Sequence, residues 1–411
     1  MPSFAARALA ALAIAFTCVS ARALTVNFLS ACPGEQTATE ARIVWHHTAA
    51  DCVLEFQKVG SSVVYTAGCE VVYKPVAFRS SDVNYYKYTA TLDGLTPGTE
   101  YYYNVVRGTD RTAKQKFKTA GTSGSYNFMW TGDVHASTEE KTKFAMNTLE
   151  LMRQDAEAKT ASSGGIDFVL FTGDAVRFGS RYDNWQKWNG APTITNYMFA
   201  AVPGNKEYYY MGNSTFNHYK WYLAVKNNPP NGPDAIEMEG CYWFIRDSVL
   251  FVGVDSLINR GKEMSRYGEG SSNVAKILKD QTNWFDKVVT SQRGNFRYLI
   301  FFQHDPWFVY DDGSADKSRG RYDYWRPVFD KHKVDLALSG DEHNYVRSEP
   351  LIGDSKSSGG TIYMVTGENA STNYNATIKT GVSKYFAAVS TSGASCGASW
   401  IEVRSGSLKL T

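Results

Sequence analysis

Six stretches of this sequence are apolar almost without a break, and they restrict the possible folds more than anything else in it. NFMWT (127–131), FVLFT (168–172), FAAVP (199–203), SVLFVG (248–253), YLIFF (298–302) and VDLALS (334–339) offer no polar face to water. A strand of that kind is covered on both sides. Between the runs, Ala145, Leu149 and Met152 recur at helical spacing, as do Ile277, Trp284 and Val288. Ser137 and Glu140 stand in capping-box order ahead of the first set. Buried strands alternating with helices predict a layered α/β unit, which we assign to residues 126–411.

The region before it reads differently. Over 24–119, short alternating runs (ARIVW, SSVVYTA, YYKYTATL, EYYYNVV) are separated by turn residues, and no helical period appears. This predicts an all-β sandwich. Within it, LDGLTPGTEYYYNVV resembles the tyrosine corner of fibronectin type III-like domains, with Leu95, Pro97, Thr99 and Tyr101 in register and Trp45 in the expected core position. His46 and His47 read as partly exposed strand residues rather than ligands. AGTSGS (120–125) is small and polar, and reads as a linker.

Residues 1–23 combine an early Arg7, the apolar run ALAALAIAFTCVS and a closing Ala21-Arg22-Ala23, the grammar of a cleaved secretory signal peptide. The run falls short of the roughly 20 apolar residues a membrane span requires, and no later stretch is long enough either. The expected location is secreted or extracytoplasmic, with lysosome, vacuole and cell surface as open destinations. The chain's formal charge of +2 is carried by Arg7 and Arg22 alone, so the mature protein is balanced. That leaves no basic footprint for nucleic acid. Five cysteines lie beyond the leader (Cys32, Cys52, Cys69, Cys241, Cys396), none in CxxC spacing. An oxidising compartment favours disulfides, with Cys52–Cys69 the most local pairing. Asn213, Asn369 and Asn375 open N-x-S/T sequons and suggest a glycoprotein.

Five of the buried runs end in a residue able to bind a metal. They deliver Asp133 and His135, Asp174, Asn205, His304, and Asp341 with His343. Sites in α/β sheets form beyond the carboxyl ends of the strands, so these loops are expected to meet. Three of only seven histidines fall here, which argues against chance turns. Carboxylate, amide oxygen and imidazole without sulfur suit Mn, Fe, Zn or Mg.

These motifs, DVH, GDAVR, GNKE, FFQH and GDEH, resemble those of the calcineurin-like metallophosphoesterases and, within them, the purple acid phosphatase-like branch with its fibronectin-like N-terminal domain. QTNWFDKVV, HDPWF and GGTIYMVTG are similar as well. The resemblance implies a four-layer αββα domain and two metal ions (Fe, Zn or Mn). Asp174 would bridge them. Asp133, His135 and His343 would complete one site, with Asn205, His304 and Asp341 completing the other. It also implies a small phosphate-ester substrate, hydrolysed by attack of a hydroxide generated at ions about 3.5–4 Å apart. Asp174, Asn205 and Lys206 would be the catalytic set, and Arg177, Lys206 and Tyr208 would contact substrate.

Three positions depart from the pattern. Arg177 stands where purple enzymes carry a metal-binding tyrosinate, which excludes the ferric colour. Lys206 replaces the histidine of G-N-H-[ED], and Asp341 replaces the first histidine of G-H-x-H. A carboxylate gained at 341 and an ammonium gained at 206 offset each other in charge. Two rival readings follow: a degenerate site that binds metal or phosphate without turnover, and an extracellular adhesion protein that works through its sandwich. Tyr209, Tyr210, Trp307 and Arg347 are further candidates for the pocket.

Overall fold

The computed structural model describes residues 22–78, 81–189, 192–208, 222–223, 240–256, 274–307, 322–367, 385–389 and 397–410. Residues 1–21 of the leader, the three sequons, Tyr209, Tyr210 and Cys396 lie outside the described residues.

The chain begins with β1 (Asn27–Pro33), β2 (Ala41–His47), β3 (Val53–Lys58), β4 (Tyr65–Ala67), β5 (Cys69–Phe78), β6 (Ser81–Leu92), β7 (Glu100–Arg107), β8 (Asp110–Arg111) and β9 (Gln115–Lys118). The α/β unit contributes β10 (Tyr126–Thr131), α1 (Glu139–Thr160), β11 (Phe168–Phe171), α2 (Tyr182–Trp188), α3 (Pro192–Thr195), β12 (Met198–Ala201) and α4 (Asn205–Tyr208). It continues with β13 (Tyr242–Arg246), β14 (Val249–Gly253), α5 (Val274–Ser291), β15 (Tyr298–Phe302), α6 (Tyr322–His332) and β16 (Leu336–Ser339). β17 (Val346–Ser348), β18 (Leu351–Ile352), β19 (Ser355–Lys356), β20 (Ile362–Val365), β21 (Phe386–Val389), β22 (Ser399–Arg404) and β23 (Ser407–Leu410) complete it.

Two large sheets pack face to face. One has the order β23-β22-β10-β11-β12-β1-β2-β6-β5, the other β13-β14-β15-β16-β20-β17-β21. Side chains alternate across a strand, and the apolar runs use both directions. Phe128 and Phe168 point inward onto Phe251, at ring distances of 5.4 and 5.3 Å. Met129, Val169 and Phe199 point outward, to Leu149 of α1, Trp185 and Trp188 of α2 and Ile194 of α3. In the second sheet, Leu250, Leu299 and Phe301 face Ile277, Trp284, Phe285 and Val288 of α5 and Trp325 and Phe329 of α6. Helix, sheet, sheet, helix: the four layers follow from strands that are apolar on both faces.

The N-terminal strands form a sandwich against a smaller sheet, β4-β3-β7-β8, with β9 on β7. Trp45 stacks on Tyr88 at 4.8 Å between the layers. The Tyr101 hydroxyl accepts from the Thr96 amide at 2.9 Å, which closes the tyrosine corner. The sandwich is not a separate bead. β1 runs parallel to β12, pairing Ala31 with Met198, so β1, β2, β6 and β5 extend the sheet of the α/β unit. The 120–125 segment is tied down as well: Ala120 donates to Thr37 and Gly124 to the Asp247 carboxylate.

Other details differ from expectation. Thr138, not Ser137, caps α1, accepting from the Lys141 amide; Ser137 instead donates its amide to the Thr142 hydroxyl. His46 is fully buried, packed against Phe28 and Tyr222. Cys52 and Cys69 are free thiols, as is Cys241. Cys52 precedes β3 and Cys69 opens β5; the two thiols are near enough to act on each other, yet no bond joins them. Among the described residues, no helix is long and apolar enough to cross a membrane.

Candidate metal centre

The loops after β10, β11, β12, β15 and β16 meet at one rim of the paired sheets. Backbone bonds hold them in register: Asp133 donates to Gly173, His135 to Asp174, and Gly340 to His304, each at 2.9 Å. Glycine is required where the loops cross most closely. Gly173 has φ +94°, and a Cβ there would lie 2.6 Å from the Gly204 amide. A Cβ on Gly204 would lie 2.2 Å from Asp174 Oδ1.

All seven residues predicted as ligands come together. Asp133, Asp174 and His304 are fully buried and His135 nearly so. His135 Nε2 is 2.9 Å from Asp174 Oδ2. His304 Nε2 lies 3.4 Å from both Asp174 Oδ1 and Asp341 Oδ1. His343 Nε2 is 3.7 Å from Asp133 Oδ1. The Asp341 amide donates to the Asp133 carboxylate, and Asn205 Nδ2 donates to Asp341 Oδ1 at 3.4 Å. Two triads have ligand atoms within 4.8 Å of one another: Asp133, His135, His343, and Asp133, Asp174, His304. Asp133, His135, Asp174, Asp341 and His343 all have positive φ, between 52° and 71°, a backbone region usually left to glycine. That turn aims each side chain back over the strand ends.

The donor set fits a cation. His304 Nδ1 is 2.6 Å from the Thr172 carbonyl, which makes Nδ1 the protonated nitrogen and leaves Nε2 for a metal. Nε2 is buried without a hydrogen bond of good geometry, yet two carboxylate oxygens face it. A lone pair and two anions do not share buried space unless a positive charge joins them. In the metal-free cluster a proton plays that part: burial works against it, but Asp174 and Asp341 outweigh burial and push His304 up to about 10. Asp133 is pushed up to about 6 by burial, against the pull of His304 and His343. Asp174 is held below the usual carboxylate range, burial being overcome by His304, His135 and Lys206.

One residue of the site was missed in the sequence. Glu207 is 2% exposed and accepts from the Asp174 and Val176 amides, at 2.8 and 3.2 Å, and from the Gly204 amide, so a single carboxylate clamps two ligand loops together. Its signal in the sequence was the acidic last position of GNKE, which matches the family motif G-N-H-[ED].

The proposed substrate contacts are less uniform. Lys206 lies within the cluster, its Nζ 3.0 Å from Asn205 Oδ1. Arg177 is half-buried, and its amide donates to Ala136 beside the His135 loop. The Tyr208 hydroxyl donates to Asp255. Arg347 sits on β17, paired with Met364 and Ala388. Trp307 does not line the site: it is 1% exposed and packs on Phe301, Phe329 and Tyr363 in the core of the second sheet.

The sequence profile described as calcineurin-like phosphoesterase matches residues 126–345, more than half of the chain. The chain belongs to that family. Residues 12–129 match the profile of the purple acid phosphatase N-terminal domain. An uncharacterized protein of Mycobacterium tuberculosis is 23% identical over 78% of this chain and 61% of its own length. Purple acid phosphatase 1 of Ipomoea batatas is 24% identical over 73% of this chain and 59% of its own. The chain thus spans about three fifths of the length of the curated relatives it matches. Among solved structures, a purple acid phosphatase from yellow lupin seeds (Lupinus luteus) superposes with a TM-score of 0.71 at 15% identity, over 94% of this chain and 72% of the other. The structure of PhoD superposes at 0.57 and 11% identity, over 94% and 89%. At such identities these likenesses speak for the fold.

Proposed function

We propose that this phosphoesterase is a secreted, metal-dependent phosphoric ester hydrolase acting on small phosphate esters. The observation that carries the reading is the meeting of Asp133, His135 and His343, whose ligand atoms all lie within 4.8 Å of one another beyond the ends of separate strands. Asp133, His135 and His343 would hold one position and Asn205, His304 and Asp341 a second, with Asp174 shared between the two and Fe, Zn or Mn as the chemically suited ions. When bound, such ions lower the pKa of water and polarise a phosphate.

The chain's own residues supply the rest. Asp174 Oδ2 lies 2.9 Å from His135 Nε2, while Oδ1 approaches His304 and accepts from the Lys206 amide at 2.8 Å, which fixes both oxygens. Glu207 holds the loop that presents Asn205. Lys206, within the cluster, and Arg177, whose backbone bonds Ala136 beside the His135 loop, are the cations we assign to an anionic ester. Tyr208 is weaker as a substrate contact, because its hydroxyl serves Asp255. The signal grammar of residues 1–23 supports export, and the sequons support glycosylation.

The degenerate-site reading draws support from Lys206 and Asp341 themselves, each in place of a family histidine. Elemental analysis of the purified protein and of Asp174→Ala, run beside hydrolysis of an aromatic phosphate ester, separates the readings. Metal and turnover in the wild type, both lost in the variant, are expected. Stoichiometric metal without turnover would favour the degenerate site, and no metal at all the adhesion role.

A further inference from the structure

The side chain of Lys206 occupies part of the candidate metal centre. Its Nζ stands 3.0 Å from Asn205 Oδ1 and 3.6 Å from Asp174 Oδ2, and the side chain is 12% exposed. Asn205 Oδ1 is the one atom by which that amide can ligate an ion, since Nδ2 donates to Asp341. The ammonium therefore sits on oxygens that the second metal position would need. Its reach is fixed by the backbone: the Lys206 amide donates to Asp174 Oδ1, so both ends of the residue engage one carboxylate. Glu207 then pins the turn through the Gly204 and Asp174 amides.

The other half of the centre, Asp133, His135 and His343, keeps its three ligand atoms within 4.8 Å of one another.

We infer that this phosphoesterase binds one divalent ion, in the Asp133–His135–His343 half, and that the Lys206 ammonium fills the Asn205–Asp174 position as a built-in second cation. This rests on the metal-dependent reading and narrows it. The ammonium attracts phosphate oxygens as a metal would, but it forms no coordinate bond. Substrate would be gripped by an ion on one side and by a charged hydrogen-bond donor on the other.

Manganese(II) titration of the full-length protein, followed by elemental analysis and electron paramagnetic resonance, tests this without reference to activity. The wild type is expected to retain about one equivalent, with the six-line spectrum of an isolated ion. Lys206→Met, which keeps the stem and removes the charge, is expected to take up about two equivalents and show the coupled spectrum of a metal pair, as in a two-metal site. A coupled pair in the wild type would overturn the inference and leave the hydrolase reading standing. So would a Lys206→Met protein that still holds one ion. No ion in either protein would remove both readings. Should Lys206→Met fail to fold, the wild-type stoichiometry and spectrum decide by themselves.

Discussion

At the scale of single residues, burial sets reactivity. Cys241 is fully buried at the start of β13, and burial, with Asp255 adding to it, pushes its thiol up to about 12. A raised thiol pKa keeps the proton on sulfur, and the thiolate is the nucleophile. Iodoacetamide at pH 8 is therefore expected to leave Cys241 unmodified in the folded protein and to alkylate it after denaturation, as read by peptide mass spectrometry. Labelling of the native chain would contradict the burial described here. The sequence could not reveal this, because a cysteine in GCYWF reads alike whether it is paired, free or buried. The candidate ligands were legible for the opposite reason: polar groups that end an apolar strand have few roles open to them. Glu207 was visible only as the acidic last position of GNKE, and because its partners are backbone amides the pattern gave no sign of what it holds.

At the scale of elements, the strands were easier to read than their junctions. Every strand that supplies a candidate ligand was visible as an apolar run, because cover on both faces removes polar alternation. The cap of α1 moved from Ser137 to Thr138 because two adjacent hydroxyl residues offer the same chemistry, and only backbone geometry (φ −71°, ψ 160° at Thr138) chooses between them. The loops leaving the strands depend on glycine at the point of closest approach. Gly204→Ala would drive a methyl into Asp174 Oδ1 and its amide. Overpacking of that kind costs about 1–3 kcal/mol, and here the group displaced is the candidate bridging carboxylate. Gly204→Ala is thus expected to lower the melting temperature and to reduce retained metal to background. A variant that melts lower but keeps its full metal content would show that the two loops adjust independently.

At the scale of the whole molecule, the sandwich and the α/β unit share a sheet and a core. Leu29, Trp45, Tyr103 and Phe117 belong to the same apolar cluster as Phe128, Phe168, Phe251 and Met364. The Tyr103 hydroxyl donates to the Thr195 carbonyl at 2.7 Å, and Thr37 bonds Ile245 through both its amide and its hydroxyl. Differential scanning calorimetry of the intact protein should accordingly show one cooperative transition. A chain starting at residue 120 should be insoluble, since it would expose the edge of β12. Two separated transitions would mean that the β1–β12 pairing is too weak to couple the halves. The sequence showed two kinds of texture and a polar segment between them, but not this pairing, because nothing in β1 marks which neighbour lies beside its edge.

The left-handed backbone at five of the gathered side chains has a cost that the fold must carry. Holding a non-glycine residue there stores strain on the order of 1 kcal/mol or more at each position, and the same turns crowd carboxylates in a dry space. The empty protein is then less stable than its packing alone would make it, and activity and robustness are set against each other. Asp133→Gly, which relaxes the backbone and removes a charge, is expected to melt at a higher temperature than the metal-free parent while losing the capacity to hold an ion.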